Sequence, residues 1–203
     1  MNLCSSFAAT FSTNTQRKSK TDKLLPPQEG FYKGKITIVL DLDETLIHTT
    51  VFPQANQSLA IDSGGKDSIP FFVSLRPNVK ELITELGHLY EIVIFSSAPK
   101  HYVDQIVKEI DPNHCIQHVL YKESCITIGG CLVKDLSKLN RELSRIIIID
   151  DSSISFMLQP YNAIQIPPWN GDDNDKEIRT ILDFLIENAG VESVYKILVQ
   201  EAE

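Results

Sequence analysis

The run Asp41-Leu42-Asp43-Glu44-Thr45 puts three carboxylates into four residues, directly after the apolar stretch Ile36-Thr37-Ile38-Val39-Leu40. In an extended chain Asp41 and Asp43 project to the same side, because strand side chains repeat every two residues. Acids crowded against a buried strand are costly unless something compensates them. A hard divalent cation can do so: Mg2+ takes oxygen ligands and is held through one or two carboxylates plus a substrate phosphate. A carboxylate can also attack phosphorus and form an acyl phosphate. A second carboxylate two residues on can protonate the leaving oxygen and then activate water. The plainer alternative is a set of acids that cap a turn or face solvent. Two further polar clusters weigh against it, Ser96-Ser97 after an apolar run at 91–95 and Asp150-Asp151 after one at 145–149.

These clusters need elements that bring them together. Short continuous apolar runs separated by helical patterns indicate a parallel sheet covered on both faces. The pattern predicts strands at 36–40, 91–95 and 145–149. It predicts helices at 78–87 (stopped by Gly87), 100–110, 175–188 and 191–199. The fold class is α/β, a doubly wound parallel sheet, and ligands of such folds bind at the carboxyl ends of the strands. Residues 49–75 carry two Pro and two Gly around the strand-like Phe71-Phe72-Val73-Ser74-Leu75, which reads as a small β insertion after the first strand. Gly129-Gly130 between Ile126-Thr127-Ile128 and Cys131-Leu132-Val133 is a hairpin signal. Residues 1–30 are polar and unpatterned and end in a Pro-rich joint, so they read as a flexible tail before a domain at 31–203.

The formal net charge of −8 argues against direct nucleic-acid binding, which needs clustered Lys and Arg. The basic head, Arg17 to Lys35, reads as solvated. Residues 1–20 are rich in Ser and Thr and lack acids. Arg17 is their only arginine, so a mitochondrial transit peptide is a weaker reading than a disordered tail. No stretch approaches the ~18 apolar residues of a membrane span. Cys4, Cys115, Cys125 and Cys131 form no CxxC pair and read as reduced, mostly buried thiols. A site built from His114, Cys115 and His118 would lack a second ligand pair at zinc spacing.

With DLDETL and the later motifs, the chain resembles the haloacid-dehalogenase-like (HAD-like) superfamily. Within it, it resembles the small phosphatases of the RNA polymerase II C-terminal domain and their dullard-like, NLI-interacting-factor-like relatives. The resemblance runs from about Lys35 to about Gln200. It rests on Leu75-Arg76-Pro77, Tyr121-Lys122-Glu123-Ser124-Cys125, Val133-Lys134-Asp135-Leu136-Ser137, Ile149-Asp150-Asp151-Ser152 and the stretch from Ile166 to Trp169. It implies an Mg2+-dependent serine/threonine protein phosphatase with an aspartyl-phosphate intermediate, the RNA polymerase II C-terminal domain being one candidate substrate.

In the roles so implied, Asp41 is nucleophile, Asp43 general acid and base, and Lys134 the charge-neutralising lysine. Thr45 and Ser96 help hold loop and phosphate, with Ser97 beside them, and Tyr102 lines a peptide groove. Asp41, Asp43 (through its carbonyl), Asp150 and Asp151 hold the metal. Two positions depart from the pattern. Asp151 stands where the small phosphatases usually have Asn, and Lys122 where they have Arg, which keeps the charge but loses the bidentate fork. His48 and Trp169 read as structural or rim residues, and Asp172, Asp173 and Asp175 as a solvated loop before a helix. The resemblance implies a nuclear or cytoplasmic monomer acting on a phosphorylated protein. Two alternatives stay open: a phosphatase of small metabolites, which the short insertion disfavours, and a non-catalytic scaffold, such as an import-translocase subunit on this fold, which the retained motif residues disfavour.

Overall fold

The structure is a computed structural model and describes residues 23–53, 57–61 and 69–199. Its first strand, β1 (Thr37–Leu40), is wholly buried. Next come β2 (Ile47–Thr50), β3 (Gln57–Ile61) and β4 (Phe71–Leu75), which form a separate three-stranded antiparallel sheet in the order β2-β4-β3. This is the small β insertion expected after the first strand. Helix α1 (Val79–Leu89) buries Val79, Leu82, Ile83 and Leu86, a stripe at helical spacing. Gly87 does not stop this helix as expected. It lies inside it, where an added Cβ would come within 2.8 Å of the Cys115 Cβ, so the missing side chain allows a close approach.

Then follow β5 (Glu91–Phe95), α2 (Lys100–Ile110) and β6 (His118–Leu120). The hairpin of β7 (Ile126–Ile128) and β8 (Cys131–Val133) turns at Gly129 and Gly130, whose φ values of 58° and 86° both need the left-handed region. The chain closes with β9 (Ile146–Asp150), β10 (Ala163–Gln165), α3 (Glu177–Glu187) and the one-turn α4 (Tyr195–Leu198). The helix expected over 191–199 is thus reduced to four residues.

The central sheet has the order β10-β9-β1-β5-β6 and every pairing in it is parallel. Alternation along β1 sends Ile38 and Leu40 to one face and Val39 to the other. The first face packs against α1, α2 and α3. The second is covered by Leu136, Leu139 and Phe156 from 3-10 turns and loops, together with Leu25. Leu25, 5% exposed, lies in the segment read as a flexible joint. That segment is fastened: the Leu24 N–H donates to the Lys138 carbonyl, and Arg141 donates to the Pro26 carbonyl. The described part of the expected tail therefore packs on the domain; residues 1–22 lie outside the described residues. No helix among the described residues is long and apolar enough to cross a membrane.

Candidate active site

β1 ends at Leu40, and the Asp41 N–H donates to the Ile149 carbonyl on neighbouring β9. This register sets Asp41 beside Asp150 at the carboxyl ends of two adjacent parallel strands. The turn after Asp43 is sharp, with Glu44 at φ 61°, and it returns the chain into β2. Asp41, Asp150 and Asp151 each offer a carboxylate oxygen, and these oxygens lie within 4.8 Å of one another. Three hard donors converging on one point suit a small divalent cation such as Mg2+. Among the described residues this is the only such group, so His114, Cys115 and His118 form no counterpart to it. Asp43 is not part of this carboxylate group. Its side chain accepts a hydrogen bond from the Tyr102 hydroxyl at 2.5 Å, leaving its backbone carbonyl as its expected metal contact.

Lys134 follows β8, and its Nζ donates to Asp41 Oδ1 at 2.5 Å and to Asp150 Oδ2 at 2.6 Å. Burial alone would lower its pKa, but the two carboxylates raise it, so it stays an ammonium. One cation does not balance this many acids. Burial, with Asp41 nearby, pushes Asp150 up to about 6 against the pull of Lys134. Burial also pushes Asp43 up to about 6, against the Tyr102 hydrogen bond and helped by Asp41 and Glu44. Asp151 is raised by burial and by Asp41. Such a crowd gains from added positive charge, as metal sites do.

A cavity of about 320 Å³ opens over this cluster, lined by Asp41, Asp43, Ser97, Asp150 and Asp151 with the exposed Cys131. The thiols are expected to be mostly buried; Cys115 and Cys125 are half-buried, while the hairpin carries Cys131 to the surface. The other expected site residues divide. Ser97 lines the cavity. Ser96 is fully buried, and its N–H donates to the Leu120 carbonyl while its hydroxyl accepts from the Ala98 N–H. Its backbone N–H, which could otherwise face a phosphate, is therefore spent inside the sheet. The Thr45 hydroxyl exchanges hydrogen bonds with Asp151, at 3.3 Å to the carboxylate and 3.1 Å from the N–H, so it orients an acid of the cluster. Lys122 is exposed, held by its N–H to the Ala98 carbonyl at 3.1 Å, and does not line the cavity.

Comparison with known proteins decides the family. A family model described as NLI interacting factor-like phosphatase matches residues 36–195. The chain belongs to the NLI interacting factor-like phosphatase family. It is 37% identical over 171 residues to "CTD small phosphatase-like protein 2" of Dictyostelium discoideum, covering 84% of this chain and 30% of that relative. It is 32% identical over 185 residues to the human "Carboxy-terminal domain RNA polymerase II polypeptide A small phosphatase 1", covering 91% of this chain and 71% of the relative. Against "Phosphatase PSR1" of Saccharomyces cerevisiae the identity is 36%, over 80% of this chain and 38% of the relative. The chain thus spans well under half of two of these three curated relatives. The solved structure of Fcp1, an essential RNA polymerase II CTD phosphatase, superposes with a TM-score of 0.56 at 22% identity, covering 84% of this chain and 55% of the other, a likeness of fold.

Two residues that hold this candidate site together were not assigned a role from sequence. Arg76 is 1% exposed. It donates to the Thr45 carbonyl at 3.1 Å, to the Pro167 carbonyl at 3.0 Å and through two nitrogens to Asp175 at 2.8 Å. It thus clamps the loop after Asp43 to the segment before α3, and Asp175, expected in a solvated loop, is its counterion. Leu75-Arg76-Pro77 stands out as a motif in the sequence, but nothing local marks its arginine as buried. Thr49, on β2, meets the Tyr102 hydroxyl at 2.7 Å. No local pattern marks that pair, which is 53 residues apart in the chain. His48 bonds Glu44 at 2.9 Å and meets Trp169 edge-on, and the Trp169 backbone N–H donates to the Glu44 carbonyl. Both brace the acidic turn from behind, and Trp169, 2% exposed, is buried there and not at an entrance.

Proposed function

We propose that this phosphatase is an Mg2+-dependent protein serine/threonine phosphatase that passes the phosphoryl group through Asp41. The observation that carries the reading is the juxtaposition of Asp41, Asp150 and Asp151, oxygens within 4.8 Å, with the buried ammonium of Lys134 at 2.5 Å from Asp41. Asp41, Asp150 and Asp151, with the Asp43 carbonyl, would hold Mg2+, which when bound supplies positive charge against the phosphate oxygens. Lys134 holds one oxygen of Asp41, leaving the other to attack phosphorus in line with the ester oxygen. As the P–O bond breaks, Asp43 gives its proton to the departing serine or threonine oxygen. Asp43 then takes a proton from the water that attacks the aspartyl-phosphate, and inorganic phosphate leaves with Asp41 restored. Little covalent work falls to the protein, so positioning and charge carry the rate.

A peptide substrate is supported by the second cavity, about 380 Å³, which adjoins Asp43 and is lined by Thr49, Ile61, Phe71, Pro99 and Tyr102. The insertion walls this space on one side. The names of the relatives make phosphopeptides of the RNA polymerase II C-terminal domain the first substrates to test. Asp41→Asn is expected to lower kcat on such a phosphopeptide more than about 100-fold while keeping the wild-type melting profile. EDTA is expected to abolish turnover and Mg2+ to restore it. Activity that survives either treatment overturns the reading.

A further inference from the structure

The Tyr102 hydroxyl touches two groups, Asp43 Oδ1 at 2.5 Å and Thr49 Oγ1 at 2.7 Å. A phenol has one proton and accepts through its oxygen. With that proton given to Asp43, Thr49 must be the donor to Tyr102, so the chain runs from Thr49 through Tyr102 to Asp43. Its members sit on three separate elements. Thr49 lies on β2 in the insertion, Tyr102 in the first turn of α2, and Asp43 in the turn after β1. The Tyr102 ring is further held edge-on by Phe71 of β4, with centroids 6.4 Å apart and planes at 89°. The insertion therefore grips this tyrosine by ring and hydroxyl together.

We propose that Tyr102, fixed by Thr49, is a positioning residue that pins Asp43 Oδ1 and so reserves Oδ2 as the oxygen that exchanges protons with leaving group and water. The inference rests on the reading of Asp43 as general acid and base. In the first step the Oδ2–H bond breaks, its electron pair stays on Oδ2, and the proton goes to the ester oxygen as the P–O bond cleaves. In the second, Oδ2 takes a proton from the attacking water. Oδ1 accepts from Tyr102 throughout, and the phenol keeps its own proton. The insertion then contributes to the chemistry as well as to the groove wall, since without Thr49 and Phe71 the phenol has less to hold it.

The test varies how much the leaving group needs a proton. p-Nitrophenolate departs unaided, while phenolate departs poorly, yet both esters are small and nearly alike in shape. The ratio kcat/KM counts steps only through departure of the leaving group, so aspartyl-phosphate hydrolysis does not enter. For Tyr102→Phe, which keeps the ring against Phe71, kcat/KM should fall about tenfold on phenyl phosphate and about twofold or less on p-nitrophenyl phosphate, a misplaced acid losing part of the usual general-acid factor. Thr49→Val should show the same tilt more weakly, and Thr49→Ser should restore wild-type behaviour. A uniform fall on both esters, as lost groove contact or damaged packing would give, overturns the inference, and so does no change. Asp43→Asn, measured alongside, separates the two levels. If it tilts the ratio and Tyr102→Phe does not, only the positioning role fails; if it leaves the ratio at the wild-type value, the acid assignment beneath it fails.

Discussion

Lys134 and Lys122 show how little residue type alone decides. The Lys134 side chain is 2% exposed and lies between two carboxylates, whereas Lys122 stands on the surface of the neighbouring loop. In the proposed reaction, an ammonium fixed against the attacking oxygen acts as charge shifts during transfer. A surface cation outside the cavity lining can only attract the phosphate alike in ground and transition states, and such uniform binding appears in KM. Lys134→Ala is expected to lower kcat on a phosphopeptide more than about 100-fold, and Lys134→Arg to give no rescue, since a planar guanidinium does not fit between Asp41 and Asp150. Lys122→Ala is expected to raise KM several-fold, about 1 kcal/mol of exposed charge contact, with kcat nearly unchanged. Steady-state kinetics with Mg2+ present separate the two; an equal collapse of kcat in both would move Lys122 into the inner site.

At the scale of elements, the parts that could be read in advance were those with dense local signals. β1, β5 and β9 are strands of four or five residues built on continuous apolar runs of three or four, and the acidic and serine clusters after those runs announced the site. β6 and β10 have three residues each, too few for a period to show, and they exist because an edge of the sheet is there to pair with. The second face of the sheet is covered by 3-10 turns, which carry no long repeat. The links that lock the site, from Arg76 to Thr45 and Asp175 and from Thr49 to Tyr102, join residues 31 to 99 positions apart and leave no trace in a window of sequence. Gly87 was misread for the opposite reason, because its local meaning is strong. In an exposed helix, Gly→Ala is expected to stabilise by about 1 kcal/mol. Here an alanine Cβ would lie 2.8 Å from the Cys115 Cβ. Gly87→Ala is therefore expected to destabilise by about 1–3 kcal/mol, the usual cost of overpacking, and Cys115→Gly in the same chain to recover part of it. Urea midpoints of the three chains check the sign.

Across the whole molecule the charged sites lie at opposite ends of one sheet. The clustered acids Asp41, Asp150 and Asp151 lie at the carboxyl ends of β1 and β9, and a further buried acid, Glu91, starts β5 at the other end. Glu91 is 2% exposed and receives Arg141 through two nitrogens at 2.8 and 2.6 Å, the Thr37 hydroxyl at 2.6 Å and the Gln28 amide at 2.8 Å. His118 Nε2 stands 3.5 Å away. These partners tie the N-terminal segment, β1, β5, β6 and the loop before β9 to a single carboxylate. Burial would raise its pKa, but Arg141, His118, Thr37 and Gln28 together hold it well below the usual carboxylate range. A carboxyl whose folded pKa is depressed contributes stability that is fully present above its unfolded value, here 4.5, and is lost as pH falls toward the folded one. Exposed pairs such as Lys196–Glu192 carry little by comparison. Glu91→Gln, which leaves Arg141 buried without its counterion, is expected to cost about 3 kcal/mol at pH 7. Because wild type loses the same interaction in acid, the gap between the two chains should narrow steadily below pH 4.5. Urea unfolding of both chains at pH 7 and at successively lower pH measures that gap. A gap that stays constant would mean that the Glu91 charge contributes nothing and that the site is held by packing alone.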